Sequence, residues 1–160
     1  MSIGVISLNL TAILLLISAI PVFFSYRKER TIFLRDFSVF LFSIAGASIC
    51  YAIDSWLVLM NSKLAGWFYP LAATIGGIGF LYFCHLVLTL TFPERVKRII
   101  TLLIFLYLIL TPILWLNPPK PYLNEEGIIF WNIDLLSGFI LAATGAFLLF
   151  YLQFCFFGLA

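Results

Sequence analysis

Charge is what this sequence has least of. Only 10% of its 160 residues are Asp, Glu, Lys or Arg, against about a quarter in an ordinary globular domain. Hydrophobic residues make up 64%. One soluble core of this size cannot hide so much apolar surface, so the surplus must face lipid. Histidine occurs once, as His85, which rules out a bis-histidine haem or a histidine-based metal site within the chain. The three cysteines, Cys50, Cys84 and Cys155, lie inside apolar runs and in no CxxC or CxxH spacing. They read as small packing residues and indicate neither zinc nor redox chemistry. No nucleophile, base and orienting group stand together, so no enzyme is expected. Glu125-Glu126 reads as a solvated pair in a loop. No basic residue precedes the first apolar run, and that run is too long for a signal-peptide core, so it reads as a retained transmembrane helix.

What is present is five apolar stretches, at about 3–24, 37–60, 64–92, 99–116 and 128–160. A bilayer core needs about 20 helical residues to cross it. The stretches lack strict alternation, which favours helices over barrel strands. The expected fold is all-α: a single transmembrane domain, residues 1–160, forming a bundle of five helices. Short polar breaks separate the stretches. They are Ser25 to Arg30, Asn61-Ser62-Lys63, Pro93-Glu94-Arg95 and one longer loop, Asn117 to Gly127. Pro70 falls near the start of the third stretch, where a helix tolerates it best, and Pro112 marks an expected kink in the fourth.

The basic residues orient the chain. Net charge is +2, and two clusters, Arg27-Lys28-Glu29-Arg30 and Arg95-Val96-Lys97-Arg98, each abut an apolar run. They read as topology signals rather than a nucleic-acid surface. The loops after the first and third stretches hold Arg27, Lys28, Arg30, Arg35, Arg95, Lys97 and Arg98; the other side holds Lys63 and Lys120. Basic loops stay in the cytoplasm, which predicts an outside N-terminus and a cytoplasmic C-terminus. Trp56, Trp67, Trp115 and Trp131 then all fall at the outer ends of their stretches, as an interfacial aromatic belt requires. The final run, Leu152 to Ala160, carries no flanking basic residue. That end is expected either to continue into a longer protein or to be covered by a partner.

Three ionisable residues fall within the stretches so drawn: Asp54, His85 and Asp134. Such residues are expensive in lipid and are functional candidates by default. Ser43, Gly46, Ala47, Cys50 and Asp54 recur at helical spacing as one small, polar stripe. Asp134 is followed by Ser137, Gly138 and Gly145. With Trp56 and Trp131, the two carboxylates suggest an outward-facing pocket for a cation or amphiphile; the plainer reading is that each reaches the wet interface or bonds a neighbouring helix. His85 shares a face with Tyr82 and Thr89. It suits a proton relay, a quinone hydrogen bond or a haem axial position, or simply a bond to the next helix. Gly76-Gly77-Ile78-Gly79 is not a phosphate loop, since no strand precedes it and no Lys follows. With Gly46, and through the Ala72/Gly76 and Ala73/Gly77 spacings, these glycines predict close helix packing.

Tyr26-Arg27-Lys28-Glu29-Arg30, and the run Phe80-Leu81-Tyr82-Phe83-Cys84-His85-Leu86-Val87-Leu88-Thr89-Leu90-Thr91-Phe92-Pro93-Glu94, resemble segments of the seven-helix N-terminal membrane region of bacterial sensor histidine kinases. The first matches the basic loop after helix one, and the second the aromatic-rich close of helix three. The resemblance spans the whole chain as the first five of seven helices. It implies a membrane input module of a signalling protein in the bacterial inner membrane. No phosphoacceptor or nucleotide-binding region is present, so kinase activity does not reside here. The leading expectation is therefore a non-catalytic sensory input module. A small accessory subunit of a larger membrane complex is the alternative, and a small-molecule carrier ranks third. The expected partners are the lipid bilayer and other transmembrane helices, in a homo- or hetero-oligomer.

Overall fold

A computed structural model describes residues 3–124 and 128–132. Four helices follow one another: α1 (Ile3–Glu29), α2 (Ile32–Leu59), α3 (Phe68–Thr91) and α4 (Val96–Leu116). A two-stranded antiparallel hairpin follows, β1 (Lys120–Leu123) with β2 (Ile129–Asn132). All four helices are long and apolar enough to cross a membrane. Helices suit that environment because every backbone group is bonded within its own segment. Polar side chains on them are largely self-satisfied. The hydroxyls of Ser18, Ser38, Ser55, Thr74, Thr89, Thr91, Thr101 and Thr111 each donate to the carbonyl four residues earlier. An apolar surrounding therefore meets no unbonded hydroxyl at these positions.

The helix starts differ from the sequence boundaries for local reasons. α2 opens at Ile32, not near residue 37, because Thr31 caps it: its hydroxyl accepts from the Leu34 amide at 3.3 Å. α1 runs on through Arg27 and Lys28 to Glu29, since cationic residues are favourable in a last turn and their stems can lie along apolar surface. α2 ends in a left-handed cap at Asn61 (φ 50°), with the Ser62 amide bonded to the Leu57 carbonyl and the Asn61 amide to that of Val58. The chain then turns through residues 60–67 before α3 begins at Phe68, later than the 64 expected. Pro70 falls in the first turn of α3, where its missing N–H has no intrahelical partner to lose.

The largest departure is at residue 128. A fifth helix was expected from there, and Ile129–Asn132 is instead a strand, Trp131 pairing with Pro121 and Ile129 with Leu123. Pro118, Pro119 and Pro121 prevent helix on one side. Ile129-Phe130-Trp131 is β-branched and aromatic on the other, and suits a strand. The Asn124 side chain closes the turn by accepting from the Ile128 amide at 2.7 Å. The loop expected over 117–127 is thus half hairpin. The rest of the fifth stretch, with Asp134 and Cys155, lies outside the described residues.

The helices pack as an up-down row, α1 on α2, α2 on α3 and α3 on α4. The α2–α3 seam is the tightest. It is lined by Phe40, Ser43, Ala47 and Cys50 from α2, and by Ala72, Gly76, Gly79 and Phe83 from α3. Both sets follow three- and four-residue spacing, one face of each helix. Small residues let the two backbones approach. The Gly79 position faces Ser43 and the Phe40 carbonyl, and Gly76 faces Ala47. Gly46 faces Ile75 across the same seam. Gly77 points elsewhere, under the ring of Tyr107 on α4. α4 is fastened there by polar contacts: Tyr107 donates to the Thr74 carbonyl at 2.6 Å, and the Trp115 indole to the Thr74 hydroxyl at 3.1 Å.

Candidate functional site: buried charges at both ends of one helix pair

The α2–α3 pair carries a polar tie at each end. At the end with the basic loops, Asp36 on α2 is fully buried. Its Oδ1 accepts from the Arg35 Nε at 2.8 Å, and its Oδ2 lies 2.5 Å from His85 Nδ1 on α3. Both carboxylate oxygens are therefore engaged, one within its helix and one across to the next. His85 is partly buried, while Arg35 reaches toward the surface. Tyr82 of α3 and Tyr26 of α1 stand near Arg35. A buried carboxylate is costly alone, so its retention here depends on both partners.

At the other end, Asp54 is also fully buried. Its Oδ1 accepts from the Gly66 amide at 2.7 Å, twelve residues ahead and in the turn that leads into α3. Its Oδ2 has no hydrogen-bond partner, and the carboxylate stands near the first amides of α3, at Phe68 and Tyr69. Asp54 thus serves α3 as a cap supplied from α2: Trp67, at the N-cap itself, offers no side-chain bond, and the exposed amides of a helix start favour a carboxylate. Gly66 makes this possible. Its φ of 96° lies in the region favoured by glycine, and the hairpin leads in against it, Pro119 and Pro121 lying over its Cα.

These placements reorder the candidates. His85 bonds the neighbouring helix through Asp36, so that ring nitrogen is not free to hold a haem or quinone. Asp54 is buried within the bundle and bonds the turn that leads into the neighbouring helix. Trp56 lies one turn from the end of α2 and is 37% exposed, and it makes no part of the Asp54 contact. Trp131 sits in β2, so it does not belong to a fifth helix beside Asp54. Asp134 lies outside the described residues. Among the described residues, no group of three or more His, Cys, Asp and Glu side chains converges on one point.

Asp36 was missed in the sequence because the second stretch was drawn from Phe37, one residue too late. A signal was there. The stripe Ser43, Cys50, Asp54 extends backward by seven residues to Asp36, and Thr31 is a strong cap residue just before Ile32-Phe33-Leu34.

No known family model matches the chain, and no curated protein or solved structure matches it.

Proposed function

We propose that this chain is a non-catalytic, membrane-embedded input module in which the α2–α3 pair carries a mechanical change from one face of the bilayer to the other. The observation behind this reading is that one helix pair is tied by buried charge at both ends, Asp36 to His85 and Asp54 to Gly66, with a glycine-lined seam between. Such a pair moves as a unit. A stimulus at the hairpin end, which leans on Gly66, shifts the Asp54 contact and through α3 the Asp36–His85 contact. A shift of this kind requires different contacts in two states, and α4, held mainly through Thr74, is the element most easily rearranged. The basic loops favour a cytoplasmic Asp36 end and an outer hairpin. The bacterial cytoplasmic membrane, an outside N-terminus and a fifth helix after the hairpin belong to the same proposal, as does the resemblance to the membrane region of sensor histidine kinases.

An accessory-subunit role is the second reading. It draws on the outward apolar face of α4, where Phe105, Leu108 and Ile109 are exposed, a face as suited to another helix as to lipid. Native mass spectrometry on the chain extracted gently from its own membrane separates the two. A monomer or homodimer is expected. A heteromeric assembly of fixed stoichiometry would overturn the input-module reading in favour of the subunit.

A further inference from the structure

Toward the basic end, α1, α2 and Ile75 of α3 line an open groove of about 310 Å3. Its polar lining is Tyr26, Arg35, Ser38 and Ser43; its apolar lining is Phe23, Val39, Phe42 and Ile75. Arg35 and Phe42 are seven residues apart on α2, about 10 Å along the axis, and Ile75 meets α2 one turn further on, at Gly46. Apart from the small hydroxyl of Ser43, the polar groups stand toward the helix ends and the apolar ones run toward the middle of the bundle. Phe23 and Phe42 meet edge to face, with ring centroids 5.8 Å apart, and wall one stretch of it. Headgroup and chain of a membrane amphiphile are distributed in the same sense.

We infer that this groove is a binding site for an anionic phospholipid of the surrounding leaflet. Its phosphate meets the Arg35 guanidinium, and an acyl chain lies along Phe23, Phe42 and Ile75. Charge complementarity points to this occupant. Seven basic residues, Arg27, Lys28, Arg30, Arg35, Arg95, Lys97 and Arg98, share this end of the helices with three acidic ones, Glu29, Asp36 and Glu94. Such an excess attracts anionic lipid. Asp36 takes the Nε of Arg35; the end-on edge of the guanidinium, where the two terminal nitrogens donate in parallel, matches a phosphate with two bonds. The groove also adjoins the Asp36–His85 contact through Arg35, so an occupant bears on the charge that ties α2 to α3. The site stands whether or not the chain is an input module.

The test uses the full chain purified in mild detergent and offered phosphatidylglycerol or phosphatidylcholine with the same acyl chains, bound lipid being counted by native mass spectrometry. Phosphatidylglycerol is expected to be retained about tenfold more strongly than phosphatidylcholine, whose own choline cation offsets the phosphate charge that Arg35 and its basic neighbours attract. Arg35→Gln removes that preference. Val39→Trp, which fills the groove from its own lining, lowers retention of both lipids and serves if Arg35→Gln fails to fold. Arg98→Gln, exposed at the same end and outside the groove, leaves retention unchanged. Equal retention of the two lipids by the wild-type chain would overturn the site, and so would equal losses in Arg98→Gln and Arg35→Gln. Displacement of the lipid by millimolar inorganic phosphate would overturn the lipid as occupant and leave a bare phosphate site.

Discussion

Asp36 and His85 show what a single buried charge does in a bundle made mostly of aliphatic and aromatic side chains. Removing His85 leaves the buried Oδ2 of Asp36 without its partner while Arg35 still holds Oδ1, which costs about 1–3 kcal/mol, whereas replacing both members of a buried pair with apolar groups of similar size is often near neutral. His85→Leu is therefore expected to lower resistance to unfolding in detergent by that amount, with Asp36→Leu/His85→Leu recovering most of the loss. Unfolding curves for the two variants and the wild type check this; an unchanged His85→Leu curve would mean that the pair is not formed in the membrane. Asp54 differs, because its partner is a backbone amide, that of Gly66. Asp54→Asn keeps an acceptor and is expected to cost little. Asp54→Leu leaves the Gly66 amide without its partner, at about 1–3 kcal/mol. The two residues were unequally visible. Asp54 stood inside an apolar run, but Asp36 stood among Arg35, Arg30 and Thr31, where a carboxylate looks like ordinary loop charge. Only the capped start at Ile32 brings it into the helix, and only the fold brings His85, 49 residues away, to meet it.

Among the elements, the three glycines of α3 have separate duties that their sequence spacing does not distinguish. A Cβ at Gly79 would stand 2.6 Å from the Ser43 Cβ and 3.2 Å from the Phe40 carbonyl, closer than the seam allows. Gly79→Ala is expected to cost about 1–3 kcal/mol through overpacking. At Gly76 the same Cβ would lie 3.5 Å from the Ala47 Cβ, an ordinary contact. Gly76→Ala is expected to be neutral or to stabilise by up to about 1 kcal/mol, since Ala is the better helix former. Thermal melts of the two variants side by side test the seam, and the reverse order would mean that α3 is rotated relative to α2. Gly66 is constrained differently: a positive φ and the overlying Pro119 carbonyl both oppose a side chain. Gly66→Ala is expected to loosen the hairpin and the Asp54 contact together, seen as faster amide exchange in the turn over residues 60–67 and in β1.

On the scale of the whole molecule, the up-down row places the α1–α2 and α3–α4 connections at one end and the α2–α3 turn and hairpin at the other. On a cysteine-free background, Arg30→Cys and Arg95→Cys are expected to react with an impermeant thiol reagent from one side of sealed vesicles, and Lys63→Cys from the opposite side. Labelling of Arg30→Cys and Lys63→Cys from the same side would break the topology. Four of the spans could be read in the sequence from length and hydrophobicity, which depend on composition over about 20 residues and on no partner. The strand at Ile129–Asn132 could not, because a short apolar run is ambiguous between helix and strand until something pairs with it.

The sequence alone determined that this chain has four helices suited to a bilayer, their ends to within a few residues, and that its basic residues cluster in alternate loops. Those properties follow from local sums of transfer energy and charge. Which polar residues meet was decided by tertiary structure alone: Asp36 with His85, Asp54 with Gly66, Tyr107 with Thr74. Each is a contact between segments far apart in the chain, set by how closely two helices pack and by which face of each turns inward. An apolar surrounding makes every such contact count, because a polar group that finds no partner there has no water to fall back on.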